Sequence, residues 1–115
     1  MLTGGVSVGD KDLTVEALKR AGADVVFTRL LVKPGKAVAF ATLGSTPVFA
    51  LPGSPGAAMT AFLLLVVPAI RAMGGTPRSQ CLHPRLTARL MRGLEVSPGR
   101  PHYLWGRLAF CRGTP

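Results

Sequence analysis

Two stretches of the chain carry apolar residues at the spacing of an α-helix. The first, over residues 12–21, begins at Asp12, a residue type favoured at helix N-caps, and is followed by Gly22, a residue type common just after helix ends. The second covers about 57–73, and Pro68 should end or kink its last turns. The pattern therefore predicts two helices.

Shorter apolar runs predict strands. They occupy residues 24–32, 37–43, 48–51, 85–90 and 102–111. The near-continuous apolar character of the second run is typical of a strand buried on both faces. No strand is predicted before the glycine-rich loop that opens the chain. A turn at 74–77 is a plausible boundary, so we expect an α/β unit over 1–75 and the start of a small β unit over 76–115.

Composition narrows the class of protein. The chain has 115 residues, 48% of them hydrophobic, with a mean hydropathy of +0.36, which excludes a disordered tail as the main description. Its longest apolar run, 61–70, contains Pro68 and is too short to cross a membrane. No signal peptide is apparent, and Cys81 and Cys111 lack metal-site spacing. We therefore expect a cytoplasmic protein without membrane contact.

The positive charge is concentrated in the C-terminal part. The formal net charge is +9, and residues 71–115 carry eight Arg and no Lys against one acid, Glu95. Such a segment could bind nucleic acid or another polyanion. The absence of Lys after Lys36 favours the plainer interpretation that Arg replaces Lys as the ordinary surface cation.

Three loops carry candidate chemistry. The first, residues 4–10, leads into a helix, and its N–H groups could cradle an anion. The second, 33–36, places two lysines around a Pro-Gly turn, and Arg29 lies on the same face as Lys33 if the chain between them is extended. The third, 51–56, is stiffened by two prolines and opens a helix. Each loop also has a purely structural interpretation, as a strand-to-helix turn, a solvated turn and a helix start.

Two carboxylates follow the first loop. Asp10 and Asp12 would repel phosphate, but they could hold a cation such as Mg²⁺ that bridges to one. As a structural residue, Asp12 needs only to cap the helix.

The three loops, in this order and spacing, resemble the molybdopterin molybdenumtransferase family, the bacterial relatives of the gephyrin E domain. The residues that carry the resemblance are Gly4 to Asp12, Val32 to Lys36 and Leu51 to Pro55. Arg85 to Ala88 and Pro98 to Arg100 resemble the opening of that family's C-terminal β domain. The resemblance implies a C-terminal fragment: residues 1–75 of a three-layer molybdopterin-binding α/β domain, then the truncated β domain over 76–115.

The resemblance implies an activity, the insertion of molybdate into adenylylated molybdopterin with release of AMP. It implies Mg²⁺ dependence and a homodimer for the full-length family, and an incomplete enzyme for this short chain. The implied catalytic residues are Asp12, Lys33 and Arg29, and the implied metal ligands are Asp10 and Asp12. The implied substrate-binding residues are Gly4, Gly5, Ser7, Gly9, Lys36, Pro52, Gly53, Ser54 and Pro55. Ser54 and Ala37 depart from the family's usual Asn and Pro.

Two alternatives remain open. A molybdopterin-binding domain of the adenylyltransferase type would share the fold, although the loop spacing and the β tail argue against it. A nucleic-acid-binding module would use the arginine-rich segment, with Tyr103 and Trp105 available for stacking, and its affinity would fall steeply with salt.

Overall fold

The computed structural model of the chain describes residues 1–6 and 13–110, and its centre is a four-stranded sheet. The strands are β1 (Leu2–Thr3), β2 (Asp24–Phe27), β3 (Ala39–Leu43) and β4 (Thr46–Leu51), in the spatial order β1-β4-β3-β2. The helices are α1 (Leu13–Arg20), α2 (Pro55–Met73) and α3 (Arg78–Cys81). β4 is parallel to β1 and antiparallel to β3, which is antiparallel to β2. The predicted α/β class is confirmed.

The two longer helices cover opposite faces of the sheet. On one face, Leu18 of α1 packs with Ala41, and Val15 packs against Ala39 and Ala50. On the other face, two α2 residues pack against residues in or next to the sheet, in a cluster of Val38, Leu51, Ala61 and Val66. Alternate residues along a strand point to opposite faces. The continuous apolar run at 37–43 can therefore pack against helices on both sides of the sheet. The result is the predicted three-layer arrangement.

The connection between α1 and β2 follows the sequence prediction. Gly22 has φ +84°, and its N–H donates to the Lys19 carbonyl at 3.0 Å. The Ala23 N–H donates to the Leu18 carbonyl at 2.9 Å, so the helix ends in the paired hydrogen bonds of a Schellman motif. Asp12, the predicted N-cap, lies outside the described residues.

Pro68 does not end the second helix. The helix continues to Met73, and its segment Phe62–Val66 is π-helical, with the Val67 N–H donating to the Phe62 carbonyl five residues earlier. Proline has no N–H and crowds the carbonyl of the residue four positions before it. The wider π-helical segment lies at that crowded turn, so the helix continues through Pro68.

Helix α2 is longer than the apolar run identified in the sequence. It has 19 residues and a mean hydropathy of 1.8, with 22% of it buried, and by length and composition alone it could cross a membrane. Two of its buried residues, Ala61 and Val66, belong to the core cluster on the sheet. The absence of membrane contact therefore stays a prediction.

Four strand predictions are wrong. A strand, β1, does precede the first loop, while β2 ends at Phe27 because the chain bends at Thr28 and again at Leu31. The runs 85–90 and 102–110 form no strand in the described residues; the chain there makes only a single bridge, from His102 to Lys33.

The segment beyond α3 adds no core. No residue between Leu82 and Phe110 is buried, and the radius of gyration of 17.1 Å exceeds the roughly 13 Å of a compact domain of this size. A strand needs a hydrogen-bonded neighbour along its length, and the described chain gives this segment only the single bridge at His102. The division at residue 75 into two domains stays a prediction.

Candidate functional site

The first and third loops meet because β1 and β4 are parallel neighbours. Parallel strands end at the same edge of a sheet, and here the Gly4 N–H donates to the Leu51 carbonyl at 3.0 Å. A Cβ added to Gly53 would lie 3.5 Å from the Gly4 Cα. The first and third loops therefore lie side by side at this edge.

The first loop is tied to the start of α1. The Thr14 hydroxyl donates to the Gly4 carbonyl at 3.2 Å, and the Thr14 N–H donates to the Gly5 carbonyl at 3.4 Å. Gly5 has φ +65°, and a Cβ there would lie 2.6 Å from Thr14 Oγ1. Both the backbone conformation and this contact require glycine.

The second loop is folded onto the first turn of α2. Its neck is closed by the Leu30 N–H, which donates to the Lys36 carbonyl at 2.9 Å. Gly35 is buried, with φ +109°, and a Cβ there would lie 3.5 Å from the Ala57 carbonyl oxygen. A glycine with positive φ brings the Pro-Gly turn against the helix.

A cavity of about 380 Å³ lies between the second and third loops. Its lining residues are Pro34, Gly35, Lys36, Ala37, Pro52, Gly53, Ser54 and Ala57. Ser54 is the N-cap of α2, has extended backbone angles and makes no side-chain cap hydrogen bond, while its carbonyl accepts the first helical hydrogen bond from Ala58. The N–H groups of a helix's first turn have no partner within the helix.

This arrangement is suited to an anion. Lys36 and Ser54 line one cavity together with the N-terminal end of α2, whose partial positive charge favours negative groups. Pro52 is buried and Pro55 starts the helix, so the third loop is held rigidly.

The sequence profile of one family, described as a probable molybdopterin binding domain, matches residues 1–72. The chain belongs to this family. The matched region contains the sheet, both face-covering helices except the last residue of α2, and all the described parts of the three loops.

Curated relatives of this molybdopterin-binding-domain chain are named for molybdenum cofactor synthesis. The chain is 34% identical to the molybdenum cofactor synthesis protein cinnamon of Drosophila melanogaster over 89% of its own length. It is 41% identical to a molybdopterin molybdenumtransferase of Staphylococcus aureus over 64%, and 38% identical to that of Bacillus subtilis over 74%. It spans 17% of the first two proteins and 20% of the third.

The structure of the family member brings together many of the predicted binding residues. Lys36, Pro52, Gly53 and Ser54 line the cavity. Gly4 is hydrogen-bonded to Leu51 at the start of the third loop, Gly5 lies next to Gly4, and Pro55 begins α2. The predicted site residues omitted Pro34, Gly35, Ala37 and Ala57, although the Pro-Gly pair at 34–35 is a sequence signal for a turn with positive φ.

Two predicted cationic residues lie elsewhere. Neither Lys33 nor Arg29 lines the cavity, and both are exposed. The idea that their side chains share a face assumed an extended chain between them, and the bends at Thr28 and Leu31 remove that assumption. The backbone of Lys33 instead pairs with the C-terminal segment at His102.

The remaining predicted residues lie outside the described part of the molybdopterin-binding domain. They are Ser7, Gly9, Asp10 and Asp12. The described residues hold no group of three or more His, Cys, Asp or Glu side chains that could bind a metal ion. The Mg²⁺ expectation depends on Asp10 and Asp12, which lie outside the described residues.

Proposed function

We propose that this chain binds molybdopterin in the cavity between the second and third loops, as part of an enzyme that inserts molybdate into adenylylated molybdopterin and releases AMP. The observation that carries the proposal is the joining of Lys36, Ser54 and the N-terminal end of α2 at one cavity, within the region matched by the family. The names of the curated relatives support the reaction.

In this proposal the cavity holds a phosphate group of the pterin substrate. Lys36 neutralises charge, the Ser54 hydroxyl and the free N–H groups at the start of α2 donate hydrogen bonds, and the rigid third loop fixes their positions. Such groups act by positioning and charge neutralisation, and they need no covalent step on the protein.

The other residues of the predicted site complete the proposal. Lys33 and Arg29 are exposed cations near the second loop, available to molybdate that approaches from solvent. Asp10 and Asp12 would hold Mg²⁺, which would supply further neutralisation of phosphate charge. We include in the proposal a cytoplasmic location and a homodimer in the full-length protein.

The test is a fluorescence titration of the full chain with molybdopterin. Replacing Lys36 with Ala should weaken binding by about tenfold, the lower end for a hydrogen bond to a charged group. Lys19→Ala is the matched control, because Lys19 is an exposed lysine on α1 away from the cavity. Equal affinities for the two folded variants, or no binding by the unaltered chain, would contradict the proposal.

A further inference from the structure

Residues 101–103 form backbone hydrogen bonds with the second loop. The Lys33 N–H donates to the Pro101 carbonyl at 3.0 Å, and the Tyr103 N–H donates to the Lys33 carbonyl at 2.7 Å. These two hydrogen bonds form a parallel bridge between Lys33 and His102. Both backbone groups of Lys33 are therefore occupied by a segment that lies outside the family match at residues 1–72.

The bridge fixes the second loop at Lys33, a residue that lies between the loop's attachments to the rest of the molybdopterin-binding domain. Within the matched region, the neck is closed between Leu30 and Lys36, and Gly35 rests on the Ala57 carbonyl. Lys33 lies between these attachments, and its side chain is exposed. The next residue, Pro34, is already part of the cavity wall.

The C-terminal segment also lies beside α2, the helix whose first turn forms the other side of the site. Tyr103, Leu104 and Trp105 share a largely apolar cavity of about 190 Å³ with Leu63 and Leu64 of α2. The C-terminal segment thus lines one cavity with α2 and is hydrogen-bonded to the second loop. Movement of the loop away from this segment would have to break the bridge.

We propose that residues 101–103 position the second loop, so that the cavity wall from Pro34 to Lys36 is set partly by the C-terminal segment. Hydrogen bonds to the N–H and to the carbonyl of Lys33 restrict the conformations of the turn. The cavity wall is then already ordered before a ligand binds, so binding does not bear the entropy cost of ordering it. The consequence for ligand binding rests on the proposed function of the cavity. The consequence for the loop itself does not.

The test uses the full chain with a proline placed at either of two neighbouring positions. Tyr103→Pro removes the N–H that donates to Lys33, whereas Leu104→Pro places the same ring one residue later, where the described structure has no backbone hydrogen bond to remove. Tyr103→Phe is the conservative variant that keeps the N–H and the ring. Hydrogen exchange is measured at the amides of Lys33 and Leu30, the latter reporting on the Lys36 end of the loop.

Tyr103→Pro should speed exchange at both amides by about fivefold, the effect of one lost hydrogen bond, while amides of the β3–β4 pair stay unchanged. Leu104→Pro and Tyr103→Phe should match the unaltered chain. Faster exchange at Lys33 alone would show a contact without a positioning role and would overturn the proposal. So would equal exchange in the two proline variants.

A second measurement separates this inference from the proposed function. Affinity for inorganic phosphate should fall severalfold in Tyr103→Pro and not in Leu104→Pro, since only the former loosens the wall that carries Lys36. An unchanged phosphate affinity in Tyr103→Pro would contradict the positioning role. Failure of the unaltered chain to bind molybdopterin, with the exchange and phosphate results as expected, would contradict only the proposed function.

Discussion

The contact between Gly5 and Thr14 allows a quantitative test of the first loop. An alanine at position 5 would have to adopt φ near +65°, a left-handed conformation that costs an L-residue roughly 1–2 kcal/mol. Its methyl group would also lie 2.6 Å from Thr14 Oγ1, too close for a real contact. The Thr14 side chain would rotate away and lose its hydrogen bond to the Gly4 carbonyl, which contributes about 1 kcal/mol.

Gly5→Ala should therefore lower the free energy of unfolding by about 2–3 kcal/mol, the sum of the backbone and hydrogen-bond terms. In a Thr14→Ala background neither the clash nor the hydrogen bond exists, so only the backbone term of about 1–2 kcal/mol remains. The difference, a coupling of about 1 kcal/mol, is what a double-mutant cycle isolates. Urea denaturation followed by far-ultraviolet circular dichroism gives the four unfolding free energies.

The matched control is Gly4→Ala. Gly4 also has positive φ, +88°, but a Cβ there would meet no atom within 4 Å. It should show the backbone cost with little coupling to Thr14. The reasoning is refuted if Gly5→Ala costs the same with and without Thr14, or if Gly4→Ala couples to Thr14 as strongly as Gly5→Ala does.

Two further predictions concern the core and the end of α1. Leu51→Ala should lower the free energy of unfolding by about 2–5 kcal/mol, because Leu51 is 1% exposed between the sheet and α2, while Leu31→Ala, at 78% exposure, should change it by less than about 0.5 kcal/mol; equal urea midpoints would contradict this placement of the core. Gly22→Ala should cost about 1 kcal/mol from its positive φ alone, and Gly22→Asn less, in the same assay. A neutral Gly22→Ala would show that α1 does not end in the Schellman motif.

Local signals predicted the elements whose geometry is decided locally. The end of α1 at Gly22 depends on one glycine and on hydrogen bonds within six residues, so the sequence carries the whole of that information. The hairpin of β3 and β4 likewise turns at Gly44 and Ser45 between strands rich in apolar residues. The order of helices and strands over 13–73 follows from such features.

The failures have non-local causes. A strand at 102–111 was predicted from a weak alternation of apolar and polar residues. Alternation gives a strand one apolar face, but it cannot supply the neighbouring strand with which to pair. Pro68 was expected to end or kink the last turns of its helix, and the helix instead continues to Met73 with a π-helical segment at Phe62–Val66. β1 has two residues and is recognisable only from its pairing with β4, which is distant in the sequence.

The candidate site shows where prediction from the sequence ends and why. The order of the three loops indicated that they belong together, and the parallel pairing of β1 with β4 supplies the physical reason for two of them. Which lysine faces the cavity was not predictable, because the direction of a side chain across a turn depends on each backbone angle within it. Gly35 has φ +109°, so the chain changes direction between Lys33 and Lys36. Lys36, whose carbonyl accepts a hydrogen bond from the Leu30 N–H, is carried to the wall of the cavity, whereas the backbone of Lys33 pairs with the C-terminal segment. The cation that lines the cavity is thus selected by one glycine and one hydrogen bond, and the other lysine is held by residues 101–103, outside the matched domain.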